Sequence, residues 1–142
     1  MEENKMIVKE NNNLMEDMKI NKYCSIECET IEDKKRLYNA LEECDVLLND
    51  CIGAIIDIKD IYCEEKEVLD KETGELKTKF RTIIFDHNGQ TYATGSYGIF
   101  NSIKKIIGIF GYPTYSQGNV IVEVAKRQLK DGKKALTLKI KN

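Results

Sequence analysis

Alternating apolar and polar positions predict that most of this chain after residue 20 is extended. The predicted strands are 20–29, 51–69, 76–85, 90–94, 119–128 and 134–141. Turn signals separate several of them: Gly74 in the segment 70–75, the pair Asn88-Gly89, and the pair Asp131-Gly132. The strand 51–69 is long enough that it has to bend strongly, and Gly53 is one position where a bend costs little.

Two segments change to a helical period. Thr30 precedes Ile31-Glu32-Asp33, which is a helix start signal, and apolar residues continue to about Glu43. The second segment follows Ser96, a candidate N-cap, and runs over 97–110. Its apolar residues recur every three or four positions at Ile99, Ile103, Ile106, Ile107 and Phe110.

The order of these elements predicts the fold class, mainly β with α. From residue 51 the order is three strands, a helix and two strands, as in a five-stranded OB barrel with a helix between strands three and four. The strand and helix before residue 51 would be an N-terminal extension packed on that barrel. Another α+β sheet with the same element order is the alternative. We expect residues 1–19 to form a flexible acidic tail and 20–142 a single domain.

Charge is divided unequally along the 142 residues, although the net charge is only −2. Residues 1–75 carry 10 Lys and Arg against 21 Asp and Glu, whereas residues 76–142 carry 12 against 3. Such asymmetry favours a surface that binds polyanions. The alternative is that the two halves neutralise each other in the fold.

The sequence gives little evidence of a catalytic site or a metal-binding site. No Gly-rich phosphate loop, zinc-protease motif or nucleophile elbow occurs. His87 falls in a predicted hairpin tip, and the spacing of Asp57 and Asp60 puts them on opposite strand faces. Cys24 and Cys28, if both were in a strand, would lie about 13 Å apart, too far for one ion. We therefore expect a non-enzymatic protein with no cofactor and no metal, and five free thiols in a reducing compartment.

The chain also lacks the pattern of a membrane or secreted protein. No apolar run approaches the roughly 18 residues of a membrane span, and the N-terminus is polar and acidic rather than signal-like. We expect a cytoplasmic protein with no membrane partner. The pattern favours no particular oligomeric state.

The C-terminal half combines the two features that single-strand binding needs, cations for phosphates and rings for bases. Alternation puts Lys77, Lys79 and Arg81 on one face of the second barrel strand; we call these three residues the basic stripe. Tyr92 lies on the next strand and Tyr97 opens the second helix. The hairpin 126–134 carries a further group, which we call the hairpin cluster: Lys126, Arg127, Lys130, Lys133 and Lys134.

Each of these residues also has a structural interpretation. The basic stripe could be ordinary solubilising charge, Tyr92 could pack in the core or against a neighbouring strand, and Tyr97 could serve either role. Phe85 and Phe100 we assign to the core.

The segment 80–114 resembles the central part of single-stranded DNA-binding proteins encoded by tailed phages. The resemblance is carried by 81–84 (RTII), the turn 86–89, Tyr92, the helix start 98–105 (GIFNSIKK) and 110–114 (FGYPT). It extends weakly over 34–62 and covers half to two thirds of the chain. The cysteine-rich N-terminal region and the acidic stretch 64–75 fall outside it.

This resemblance implies an OB-like fold and sequence-independent binding of single-stranded DNA in phage DNA replication, in the host cytoplasm. Replication proteins would be further partners. Of the DNA-contacting residues, it carries over only Arg81 and Tyr92. A non-enzymatic adaptor or inhibitor that uses its acidic N-terminal half is the alternative function.

Overall fold

The computed structural model describes residues 20–111 and 119–141, which form a mainly β unit with two α-helices. The tail predicted for residues 1–19 lies outside the described residues. Seven strands, two helices and one short 3-10 turn follow one another in the described ranges: β1 Ile20–Cys24, α1 Ile31–Glu42, β2 Val46–Leu47, the 3-10 turn Leu48–Asp50, β3 Ile55–Leu69, β4 Leu76–Asp86, β5 Thr91–Thr94, α2 Tyr97–Phe110, β6 Val120–Gln128 and β7 Lys134–Ile140.

The strands form one curled mixed sheet in the order β2-β5-β4-β3-β6-β7. All pairs are antiparallel except β2 with β5. Strand β3 is central because it is long enough to use both of its edges. One edge pairs with β4, while the other pairs with β6 through residues 55–58 and with β1 through residues 62–66.

A bulge divides β3 into two halves that face different ways. The register with β4 passes from Ile58 opposite Asp86 to Asp60 opposite Phe85, which leaves Lys59 as the extra residue. Ile56 and Ile58 therefore pack on the α2 side of the sheet, whereas Tyr62 packs on the α1 side. The sequence pattern puts Ile56, Ile58 and Tyr62 on one face. That assignment was wrong because simple alternation does not allow for the bulge.

Two hydrophobic clusters follow from this geometry, one on each face of the sheet. The larger contains Ile84, Ile103 and Val122 and is covered by α2. The smaller contains Ala40, Ile83 and Phe85 and is covered by α1. Since neighbours along β4 point to opposite faces, Ile83 and Ile84 belong to different clusters.

Helix α1 is held on its face by a cap and a charged contact. The Thr30 hydroxyl accepts a hydrogen bond from the backbone N–H of Asp33 at 3.1 Å, as its start signal predicts. Arg36 donates to Asp60 at 3.1 Å, and its guanidinium lies 5.5 Å from the centre of the Phe85 ring. Asp60 is buried, so this ion pair and the Ser25 hydroxyl at 2.9 Å compensate for its lost hydration.

The strand boundaries differ from the sequence pattern mainly before residue 56. Strand β1 ends at Cys24 rather than 29, because Ser25 turns to donate its N–H to the Ile61 carbonyl and Cys28 has a φ of 55°. Strand β3 begins at Ile55 rather than 51, and β2, with two residues, is too short for alternation to reveal. Strands β4 to β7 and both helices lie within one or two residues of their predicted bounds.

Neither helix of the described ranges has the length and apolar character that crossing a membrane requires.

Candidate nucleic-acid interface

A cleft of about 490 Å³ opens between α2 and strand β7. Its walls are the first half of α2, the backbone and side chains of residues 134–137 and the end of β6, with Asn49 on one side. Three residues of the sequence prediction line it: Tyr97, Arg127 and Lys134. The fold thus brings residues that are 37 positions apart in the sequence, Tyr97 and Lys134, to one surface.

Small residues on α2 allow the helix to lie along the outer edge of β7. At Gly98 any side chain would collide with the Leu136 carbonyl oxygen. One turn later, the Ser102 hydroxyl accepts a hydrogen bond from the Leu138 N–H at 3.3 Å and lies 3.0 Å from the Thr137 hydroxyl. The N-terminus of α2 is fixed by Ser96, whose hydroxyl accepts from the Ile99 N–H. The helix therefore provides a hydrogen-bonding partner for part of the β7 edge and forms one wall of the cleft.

Three cations converge on this cleft: Lys105 from α2, Arg127 from β6 and Lys134 from β7. All three side chains are exposed. Within the described ranges, none of them forms an ion pair with a carboxylate. No Asp or Glu lines the cleft in the described ranges, so its positive charge is available to interact with an anion such as a phosphate group.

Tyr97 supplies an accessible ring beside these cations. It is 59% exposed, and its ring centre lies 5.0 Å from that of Phe80, which stands on the α2 side of β4. A half-supported, half-open ring is the kind of platform on which a nucleobase stacks. Tyr97 and the three cations, which form no ion pair in the described ranges, could together bind a single nucleic-acid strand. The ring would contact its bases and the cations its phosphates.

The other three residues of the hairpin cluster belong to the same hairpin but do not line the cleft. Lys126, Lys130 and Lys133 are exposed, and the tip between them is ordered by its own hydrogen bonds. Leu129 donates its N–H to the Lys133 carbonyl at 2.7 Å, and Lys133 donates its N–H to Asp131 at 3.0 Å. The cluster is therefore held near the cleft on a defined turn.

The basic stripe lies on the other face of the sheet, the face that α1 covers. Lys77 contacts Asp70 at 2.8 Å, and this hydrogen bond is the main reason that the pKa of Asp70 is lowered. The Arg81 guanidinium donates to the Leu41 carbonyl at the end of α1. Only Lys79 points outward without such a contact in the described structure, and it stands directly opposite Lys66 on β3. Alternation predicted correctly that the three share a face, but two of them already have partners in the protein.

Tyr92 is placed in the core. It is 7% exposed, belongs to the larger hydrophobic cluster and donates its hydroxyl to Asp86 at 3.0 Å. Burial, with the Asp86 carboxylate next in importance, raises the pKa of Tyr92 to about 12. The low exposure therefore favours the core interpretation of Tyr92 over the stacking interpretation.

The sequence interpretation missed Lys105 and Asn101 as residues of the cleft. Both lie on the polar side of α2, opposite the apolar stripe, and Lys105 ends the GIFNSIKK segment. The helical period was therefore a signal that could have identified them. It could not show that β7 would lie against that side.

The candidate metal ligands do not form a site in the described residues. No three His, Cys, Asp or Glu side chains there are grouped closely enough to hold an ion. The expected 13 Å separation of Cys24 and Cys28 was wrong, because β1 ends at Cys24 and the turn after it brings the two thiols close together. All five cysteines are free. The prediction that Asp57 and Asp60 lie on opposite faces was wrong, because the bulge at Lys59 turns both toward the face opposite α2. They nevertheless contact different partners, Asn119 and Arg36.

Comparison with known proteins identifies the family. No curated protein and no solved structure matches the chain. A family model described as phage single-stranded DNA-binding protein matches residues 15–141, which is most of the sequence. The chain belongs to the phage single-stranded DNA-binding protein family.

Proposed function

We propose that this protein binds single-stranded DNA without regard to sequence during phage replication, and that the cleft between α2 and β7 is its main contact surface. Family membership supports single-stranded DNA binding in phage replication. The observation that carries the finer assignment is the exposed Tyr97 ring beside Lys105, Arg127 and Lys134. Rings bind bases of any identity, and cations bind phosphates of any sequence.

The strand pairing supports an OB-like arrangement. Strands β3, β4 and β5 pair in a meander, and β3 and β7 each pair with β6, as five barrel strands would. In this assignment β6–β7 is the last hairpin of the barrel, a loop with which OB folds contact oligonucleotides. Lys130 and Lys133 at its tip would then approach phosphates beside the cleft, and α2 would follow the third barrel strand.

We assign different roles to the members of the basic stripe. Lys77 and Lys79 are exposed and would make weaker contacts, because they lie on the α1 face of the sheet. Arg81 would act mainly through its hydrogen bond to the Leu41 carbonyl, by holding α1 on the sheet. The protein would act without catalysis, metal or cofactor, in the host cytoplasm where phage DNA is replicated, and replication proteins are its expected further partners.

A fluorescence titration of labelled poly-dT at two salt concentrations tests this proposal. We expect the binding constant to fall steeply with salt, because neutralised phosphates release counterions. Oligo-dT and mixed-sequence DNA of equal length should bind almost equally. An adaptor that uses the acidic half of the chain would give no titration at either salt concentration, and this result would overturn the proposal.

A further inference from the structure

A second opening lies on the far side of α2 from the cleft. It is a groove of about 330 Å³ between β1 and the second half of α2, with β3 as its floor. Its lining includes Tyr23 from β1, Cys63 and Glu65 from β3, and Phe100 and Ile107 from α2. This volume is at the lower end of the range of about 300–1,000 Å³ for small-molecule sites, so it suits a single nucleotide better than a peptide or a helix.

Aromatic contacts join this groove to the cleft. The Phe80 ring lies 5.0 Å from Tyr97, which lines the cleft, and 4.8 Å from Phe100, which lines the groove. The three rings form a continuous row beside the first half of α2. Tyr97 is exposed and Phe80 is half-buried, whereas Phe100 is only 7% exposed. A strand that leaves the cleft past Tyr97 would therefore contact Tyr97 and the accessible part of Phe80 before it reaches the groove.

Charges at the groove determine how a nucleotide would lie in it. Lys22 and Lys104 are exposed at its border, and the Lys104 ammonium stands 5.6 Å from the centre of the Phe100 ring. Glu65 lines the wall and would repel a phosphate, but its carboxylate can accept hydrogen bonds from the N–H groups of a base. The groove thus suits a base placed inward and a phosphate placed outward between the two lysines.

We propose that this groove is a second nucleotide subsite, which takes a base of the same DNA strand after that strand has crossed the aromatic row. This inference rests on the proposed function and adds a contact surface to it. Tyr97 and Lys104 are seven residues apart on α2, about 10 Å along the helix axis. About three nucleotides at a stacked spacing of roughly 3.4 Å span that distance.

Two adjacent lysines on α2 give a matched pair for the test, since Lys105 lines the cleft and Lys104 lines the groove. Affinities of wild type, Lys104→Ala and Lys105→Ala would be measured with oligo-dT of increasing length, from about 4 to 16 nucleotides. We expect Lys105→Ala to lower affinity at every length. Lys104→Ala should leave the shortest ligands unaffected and weaken longer ones about fivefold, with a smaller salt slope. Lys35→Ala, at an exposed position on α1, should match wild type throughout.

Photocrosslinking locates the base directly. Oligo-dT with one 5-iodouracil at successive positions would be irradiated on the wild-type protein, and the linked peptide identified by mass spectrometry. Linkage to Tyr23, which is half-buried in the groove, about three nucleotides from the position that links to Tyr97, supports the subsite. The subsite is overturned if Lys104→Ala weakens all lengths equally, if it weakens none, or if long ligands bind without linkage in the groove. Absence of binding by wild type at any length would instead overturn the proposed function.

Discussion

The hairpin β4–β5 and the cleft beside α2 both place an aromatic residue near a group of cations, but only the cleft leaves them accessible. In the hairpin, Tyr92 is buried and Arg81 and Lys77 contact groups of the protein itself. In the cleft, Tyr97 is exposed, and Arg127 and Lys134 form no described ion pair. A sequence pattern of basic and aromatic residues therefore indicates a binding surface only where the fold leaves the rings exposed and the cations without contacts inside the protein.

Tyr92→Ala should have the largest effect, and the effect should be on stability. Removing a buried aromatic side chain costs about 3–5 kcal/mol of unfolding free energy, and here the Asp86 carboxylate also loses the Tyr92 hydroxyl. Urea unfolding measures the decrease. Binding of the remaining folded protein to oligo-dT, titrated at low temperature, should be close to wild type. A stable Tyr92→Ala protein that no longer binds DNA would show that the hairpin, not the cleft, is the interface.

Tyr97→Ala should show the opposite pattern. If bases stack on this ring, affinity for oligo-dT should fall by about 1–3 kcal/mol while the salt slope is unchanged. The melting temperature should change little, because most of the ring is already in solvent. Tyr38→Ala is the matched control, since Tyr38 is 64% exposed and lies on α1 rather than beside the cleft. Equal decreases in affinity for the two variants would contradict base stacking on the Tyr97 ring.

A pair of double variants compares the cations of the two regions. Arg127→Ala/Lys134→Ala should reduce the slope of log affinity against log salt by about two units, because each variant side chain leaves one phosphate without its cation. Lys77→Ala/Lys79→Ala should reduce it by less than about one unit, because Lys77 is bound to Asp70 and both lie on the α1 face. Stability of both variants, measured by thermal melting, serves as the control. A larger slope change for the second variant would reverse the ranking of the two surfaces.

The sequence predicted the positions of the strands and helices in the two regions better than it predicted which face each side chain occupies. Alternation and the Asn88-Gly89 turn located β4 and β5, and the helical period located α2, because these signals are local. The faces were harder to assign. Tyr92 is opposite Ile84 in the strand register, and only that pairing shows that it points into the α2 side of the core.

Side-chain partners could not be predicted from the sequence at all. Arg81 meets Leu41, forty positions earlier, and this contact exists only after α1 has packed on the sheet. The bulge at Lys59 similarly moved Tyr62 to the face opposite Ile58, against simple alternation. The accessible cleft depended on a further long-range event, the packing of Gly98 against Leu136.

The smallest predicted effect concerns pH and tests the burial of Tyr92. Because the folded protein raises the pKa of Tyr92 to about 12, against roughly 10 in an unfolded chain, the native state keeps this proton where the unfolded state loses it. The protonated Tyr92 hydroxyl therefore contributes fully to the free energy of unfolding below about pH 10, and this contribution is lost as pH rises toward 12. The free energy of unfolding should decrease by about 1 kcal/mol by pH 10.5.

Tyr92→Phe should be less stable by about 1 kcal/mol at pH 8, because it cannot form the hydrogen bonds of the hydroxyl. Its unfolding free energy, measured in urea from about pH 8 to 10.5, should fall less with pH than that of wild type. Parallel curves for wild type and Tyr92→Phe would mean that Tyr92 titrates freely, and the burial on which the comparison of the two regions depends would then be wrong.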